Sequence, residues 1–315
     1  MFKIEKNGYT VVFASEAVEK MLGKASCSVA LGNFDGVHLA HKELILGAIQ
    51  MKKSSKCDLA GAWTFSKNPL EYFIENPPKA ICTPEKKAEI LLSMGMDFVV
   101  LADFPAFCNI PHNDFCEYLK DEFGAVAVVC GYNYKFGKGG FGNSITLADV
   151  FGKENTLVID KVDYDGAPIS STRIRGLIEG GNIELANVLL GRPFSLVAEV
   201  VGGKQLGRNI GFPTANQSFL EGSIIPKKGI YATKCIIAGE TYIGVTNVGI
   251  RPTVESTKNI NAETYILNFS GDIYGEKIEI EFIKYLREEQ KFLSIDELKA
   301  QISLDASAAK ETVKI

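Results

Sequence analysis

Ser28-Val29-Ala30-Leu31-Gly32-Asn33-Phe34-Asp35-Gly36-Val37-His38-Leu39-Ala40-His41 decides how the first half of this chain folds. Residues 28–31 form a short apolar run, and the Gly32 to Gly36 stretch breaks it. From residue 38 to residue 51 apolar side chains return at helical spacing. The segment therefore reads as strand, glycine turn, helix. Further apolar runs at 59–65, 98–101 and 126–130 are each followed by loop residues, with helical patterns at 84–94 and 113–122 between them. Strands alternating with helices predict a Rossmann-like parallel sheet with helices on both faces.

The pattern changes after a helical segment at 171–190, where Gly191-Arg192-Pro193 supplies a breaker. Beyond it lie short strand-like runs at 196–201, 229–237, 241–248, 262–269 and 277–285, separated by Gly, Pro, Asn and Asp. These predict an antiparallel β-barrel or sandwich. A terminal helix at 294–310 follows, with Ser294 suited to the N-cap and Asp296 and Glu297 to the first turn. The expected class is α/β plus β, with domains at 1–188 and 189–315.

Bulk properties agree with two cores, since 315 residues exceed what one core usually spans. A formal charge of −4 offers no basic surface to displace phosphate counterions, so small-molecule partners are expected and nucleic acid is not. Seven singly scattered cysteines suggest neither a zinc site nor a disulfide framework. No run of about 18 apolar residues is present, and none of signal-peptide length opens the chain, so no membrane partner and a cytoplasmic location are expected. No feature specifies an oligomeric state.

Two clusters carry chemistry. His38 and His41 are three residues apart at the start of a helix, so their rings share a face where unpaired N–H groups and the helix dipole favour an anion. Ile169-Ser170-Ser171-Thr172-Arg173-Ile174-Arg175 sets N-cap hydroxyls and arginines at a second helix start, a second phosphate cradle. Together the segments resemble the paired signature of the nucleotidyltransferase superfamily. The string from Gly32 to His41 resembles the opening motif of bacterial FMN adenylyltransferase domains. The resemblance implies catalysis by His38, His41 and Arg173, with nucleotide contacts from Gly32, Phe34, Asp35, Gly36, Ser170, Ser171, Thr172 and Arg175. It also implies flavin contacts from Asn133 and Phe136. Ala40, Asn68 and Asn133 depart from the family's pattern, where glycine, histidine and aspartate are usual.

Gly207-Arg208-Asn209-Ile210-Gly211-Phe212-Pro213-Thr214-Ala215-Asn216 is the second cluster. Its glycines permit close backbone approach to phosphates and Pro213 fixes a turn, while Thr214 and Asn216 offer oxygens suited to Mg²⁺. It is similar, without a gap, to the flavokinase signature. The resemblance implies nucleotide contacts from Gly207, Arg208, Gly211 and Pro213, metal contacts from Thr214 and Asn216, and flavin contacts from Arg251 and Arg287. Phosphorylating a neutral alcohol requires a proton acceptor. Glu263, in a run similar to the flavokinase catalytic strand, is the candidate.

The expectation is an enzyme of the bifunctional riboflavin kinase/FMN adenylyltransferase type, using ATP and Mg²⁺ to convert riboflavin to FMN and FMN to FAD with release of pyrophosphate. Two alternatives stand beside it: a kinase with a degenerate first domain, motivated by Ala40, Asn68 and Asn133, and a flavin- or nucleotide-binding regulator without turnover.

Overall fold

A computed structural model describes residues 2–14, 25–202, 211–250 and 260–315. Gly207, Arg208 and Arg251 lie outside them. The chain divides into two compact units, residues 1–171 and 172–315.

In the first unit the strands are β1 (Phe2–Lys6), β2 (Tyr9–Phe13), β3 (Cys27–Leu31), β4 (Leu59–Phe65), β5 (Phe98–Ala102), β6 (Ala125–Gly131) and β7 (Thr156–Ile159). They form one sheet in the order β1-β2-β5-β4-β3-β6-β7, while β8 (Asp163–Tyr164) and β9 (Ala167–Pro168) form a separate ribbon. Pairing is parallel from β5 through β7, and β1 and β2 add an antiparallel hairpin at the β5 edge. The hairpin escapes the sequence pattern because β1 is almost wholly exposed.

Every residue of β3 is buried, as a central parallel strand requires, which is why its sequence is an unbroken apolar run. Side chains alternate between two cores. Val29, Leu31, Trp63 and Phe98 share one face; Ala30, Ala62, Val99, Ile45 and Leu91 share the other. Helices α1 (Leu39–Ser54), α2 (Pro84–Ser93), α3 (His112–Phe123) and α4 (Ser144–Phe151) cover the sheet. From β3 the chain winds through β4 to β5 on one side and then returns to β6 on the other. The carboxyl ends of β3 and β6 thus flank a topological switch point, where ligands bind in open α/β sheets.

The second unit begins with α5 (Ser171–Gly180), which starts at the division, and α6 (Ile183–Leu190). The sequence reads this stretch as one helical segment. It is split at Gly181, which takes a left-handed φ of +83°, and Asn182, whose Oδ1 accepts from Leu185 N at 3.3 Å. Asn187 of α6 donates to Phe282 O and accepts from Phe194 N, each at 2.7 Å, so this helix packs with the strands that follow.

Those strands are β10 (Phe194–Glu199), β11 (Thr214–Ser218), β12 (Gly229–Ile237), β13 (Glu240–Ile250), β14 (Ile260–Ile266) and β15 (Lys277–Arg287). Their antiparallel order is β10-β15-β12-β13-β14-β11. The sheet curls until its ends meet at a Val201–Asn216 bridge. Inside, the hydroxyls of Thr233, Thr246 and Thr264 link in series at 2.9 Å each, and Gln217 donates to Ala198 O and Ile278 O across the closure. The last helix, α7 (Ile295–Thr312), is capped by Ser294, which accepts from Glu297 N at 3.1 Å. It buries Ala309 against Ile230, Ala232 and Val245.

Candidate functional site

In the first unit the turn after β3 is held in an unfavourable backbone. Phe34 and Val37 adopt φ of +49° and +41°, a region that a β-branched residue such as Val37 rarely enters. Strain of this kind concentrates where a loop must present groups to a ligand. Gly36, at +78°, packs so closely on Ile81 that a Cβ would sit 3.0 Å from its side chain. Asp35 is buried, and its Oδ1 accepts from Ile81 N at 3.0 Å. Its side chain therefore pins the turn, while its carbonyl accepts from Oγ of Ser171, the last residue of the first unit, at 2.9 Å.

His38 is the N-cap of α1, and its Nδ1 accepts from His41 N at 3.3 Å; reciprocally, His41 Nδ1 accepts from His38 N at 3.4 Å. The rings stack with centroids 3.6 Å apart. With both Nδ1 atoms used as acceptors, the neutral rings carry their protons on Nε2, so the pair presents two N–H donors. No acidic residue occupies the first turn of α1, so no carboxylate there offsets its positive end. The arrangement suits phosphate.

Beside the 131–137 loop lies a cavity of about 310 Å³ lined by Phe65, Phe73, Phe104, Phe115, Tyr134 and Phe136, among others. Its aromatic walls suit a planar heteroaromatic ring. Phe136 is part of this lining. Asn133 is exposed and is not. Asn68 caps the short turn Pro69–Tyr72, accepting from Leu70 N at 3.1 Å, so its departure from the family pattern serves local structure.

In the second unit the flavokinase-like string ends in a strand rather than a loop. Thr214, Ala215 and Asn216 pair in register with Tyr265, Thr264 and Glu263. On its other side Glu263 pairs with Asn247 of β13. Residues directly opposite in antiparallel strands project from the same face, so Asn216, Glu263 and Asn247 form one row across three strands. Glu263 is exposed, and Oδ1 of both asparagines is buried with no hydrogen-bond partner among the described residues. Phe212 packs edge-on against Tyr265, fixing the entry to β11.

A cavity of about 510 Å³ adjoins this row, lined by Val200, Pro213, Thr214, Asn216 and the loop from Phe269 to Tyr274. Glu263 is not part of its lining but stands opposite Asn216, which is. Gly211, at φ +90°, precedes the strand. Asn247 opens the run 247–253 that resembles a flavokinase flavin-side loop, whereas the 269–274 loop, whose Asp272 accepts from Tyr274 N at 3.1 Å, escapes the sequence reading. Arg287, expected to touch flavin, is engaged elsewhere. Its Nε and Nη2 donate to Asp305 of α7 at 2.9 and 2.6 Å, and Nη1 donates to Glu288 O. It bolts the last helix to β15.

A family model described as FAD synthetase matches residues 21–173, and one described as riboflavin kinase matches residues 190–313. The bifunctional riboflavin kinase/FMN adenylyltransferase of Bacillus subtilis (strain 168) is 34% identical over 292 residues, 91% of this chain and 92% of its own. That of Listeria monocytogenes is 36% identical over 281 residues, covering 88% and 89%. The Escherichia coli (strain K12) protein is 35% identical over 296 residues, covering 90% and 92%. A solved Streptococcus pneumoniae protein, described as a macrolide-efflux protein, superposes with a TM-score of 0.82 at 29% identity, covering 91% of this chain and 94% of that one. In this chain no helix among the described residues is long and apolar enough to cross a membrane. With two matched domains in this order and relatives aligned along nearly their full length, the chain belongs to the bifunctional riboflavin kinase/FMN adenylyltransferase family.

Proposed function

We propose that the second unit phosphorylates riboflavin to FMN with ATP and that the first adenylylates FMN to FAD, releasing pyrophosphate. The observation that carries this reading is the row Asn216–Glu263–Asn247 beside a cavity of nucleotide size, in the same chain as a strained turn that aims two imidazole donors from a helix start. We place the functional boundary at 188/189, just before the matched riboflavin kinase segment, although α5 and α6 pack with the second unit.

In the kinase step the terminal ribityl hydroxyl attacks the γ-phosphorus, and the exposed Glu263 carboxylate accepts its proton. Pro213 and the 269–274 loop form walls for the nucleotide, and Gly207, Arg208 and Gly211 belong to the same matching string. A divalent cation fits the donor set, since Thr214 offers a hydroxyl and Asn216 a buried amide oxygen lacking a partner. Mg²⁺ bound there supplies charge neutralisation on the transferred phosphate. Arg251 is assigned to the flavin side by motif alone.

In the adenylyl step a phosphate oxygen of FMN attacks the α-phosphorus of ATP. That nucleophile is already an anion, so no general base is needed and the protein's work is positioning and charge stabilisation. His38 and His41 donate from Nε2, Gly32, Phe34 and Gly36 shape the turn, and Ser171 clamps it at Asp35. Ser170, Thr172, Arg173 and Arg175 are assigned to phosphate by motif. The aromatic cavity takes the flavin ring. All seven cysteines are free thiols, which supports a reducing, cytoplasmic location.

Incubation with riboflavin, ATP and Mg²⁺, with flavins resolved by chromatography over time, tests the reading. FMN followed by FAD is expected. FMN alone would restrict turnover to the second unit, and neither product would leave only a binding role.

A further inference from the structure

Lys87 reads in the sequence as one of two lysines in the first turn of an amphipathic helix, where a solvated cation is ordinary. The fold buries it instead, to 5% exposure. Its Nζ donates to Asn33 O at 2.9 Å, to Phe65 O at 2.9 Å and to Thr64 Oγ1 at 3.4 Å. Thr64 Oγ1 in turn donates to the same Asn33 carbonyl at 2.7 Å. The three ammonium donors thus meet three acceptors, all at the carboxyl ends of β3 and β4. Burial pushes the Lys87 pKa down, opposed by Cys82 and Asp35.

The two carbonyls belong to different halves of the first unit's site. Asn33 precedes Phe34, where the strained turn begins, and Phe65 lines the aromatic cavity. A left-handed non-glycine residue is strained and persists only where its surroundings over-determine it. Thr64 and Lys87 provide that constraint.

We propose that Lys87 is a positioning residue for adenylyl transfer: it fixes the phosphate-facing turn at Asn33 against the flavin-cavity wall at Phe65, and so sets the approach of the two substrates. The inference rests on the assignment of adenylyl transfer to this unit. A displacement near 1 Å between reacting groups lowers rate by about 100-fold while leaving each substrate's own contacts in place. The effect belongs in kcat rather than in either KM.

The test uses the full chain with Lys87→Met, which keeps the length of the side chain and removes its donors. FAD formation from FMN and ATP is measured alongside FMN formation from riboflavin. Trp63, the single tryptophan and only 1% exposed, reports by its fluorescence whether the first unit is folded. The expected result is a kcat for FAD formation reduced by about 30- to 100-fold, KM values for ATP and FMN within about threefold, and native Trp63 emission. An unchanged kcat, or a rise in KM alone, overturns the proposal. If the Met variant loses native emission, Lys87→Leu, which likewise removes all three donors, is judged by the same criteria. Wild-type protein that forms no FAD defeats the assignment on which the inference rests, and that outcome is separate from a variant matching an active wild type.

Discussion

Asn216 and Glu263 stand directly opposite each other on neighbouring antiparallel strands, the amide buried to 4% exposure and the carboxylate open to solvent. The pairing puts a polar atom that seeks a partner beside a group free to take a proton. Glu263→Gln is expected to reduce the rate of FMN formation by about 10²- to 10⁴-fold, the usual range for losing a general base. FAD formation from supplied FMN should be unchanged. Measuring both products from one preparation decides it, and a variant that phosphorylates riboflavin at the wild-type rate removes Glu263 from the chemistry.

Asn247 flanks Glu263 from the other side with the same orphaned oxygen. Asn247→Ala should lower FMN formation without destabilising the barrel, because no hydrogen bond to Oδ1 from the described residues is lost. Asn247→Asp should differ from it by setting a carboxylate beside Glu263, shifting the acidic limb of the kinase pH–rate profile upward by like-charge repulsion. Identical profiles for the Asp variant and wild type would exclude contact between the two groups.

Substitution can separate the cap that His38 provides from the anion stabilisation proposed for the histidine pair. His38→Ala removes a helix cap, at about 1 kcal/mol, together with an Nε2 donor. His38→Asn retains an acceptor for His41 N and should recover much of the lost stability, yet FAD formation should stay as low as in the Ala variant. Thermal melting followed by Trp63 fluorescence, set against FAD yield, distinguishes capping from anion stabilisation. Recovery of activity with stability would make the cap the whole role.

Local patterns exposed much of this architecture, and the reason lies in the elements themselves. β3 is buried on both faces and the turn after it is marked by glycines, so strand, turn and helix are legible within fourteen residues, 28–41. The barrel strands are legible because turn residues bound them and strands such as β10 and β15 alternate buried with partly exposed positions. What stayed hidden depends on chain segments distant in sequence. Lys87 looks solvated until α2 settles over the ends of β3 and β4. The place of Asn247 beside the candidate base comes only from its register with Glu263. The aromatic cavity draws Phe65, Phe104 and Phe136 from three separate segments, and β1 has no buried face to mark it.

Arg287 is a motif residue that the fold ties to the last helix. Asp305 is buried to 5% exposure and receives two guanidinium donors, with Gln301 Nε2 adding a third bond at 3.0 Å. Arg287→Ala leaves that carboxylate without its cation, a loss of about 3–5 kcal/mol for buried pairs. The double variant Arg287→Met, Asp305→Leu should recover most of it and keep the KM for riboflavin within about threefold. Melting curves and riboflavin titrations check both statements. A large rise in KM for the well-folded double variant would return Arg287 to the flavin.

Stability of the first unit should fall as pH rises above 9. Burial pushes the thiols of Cys116 and Cys130 up to about 11, and Cys27 higher still. A group whose pKa is raised on folding contributes stability that is complete below its unfolded value, 9.0 for these thiols, and is lost as pH rises through the folded value. Lys87 acts with the opposite sign, because burial lowers its pKa and the unfolded chain binds the extra proton between the two values. Cys57 is raised by burial as well, and four thiols against one amine give a net decline. Urea melts followed by Trp63 fluorescence at pH 8, 9 and 10 should show a falling midpoint, falling more steeply in Lys87→Met, where the opposing contribution is gone. A midpoint that rises over this interval in wild type would mean that the amine outweighs the thiols. At pH 8 the same burial should confine rapid alkylation in the native state to the partly exposed Cys82 and Cys108, with all seven thiols reacting in denaturant.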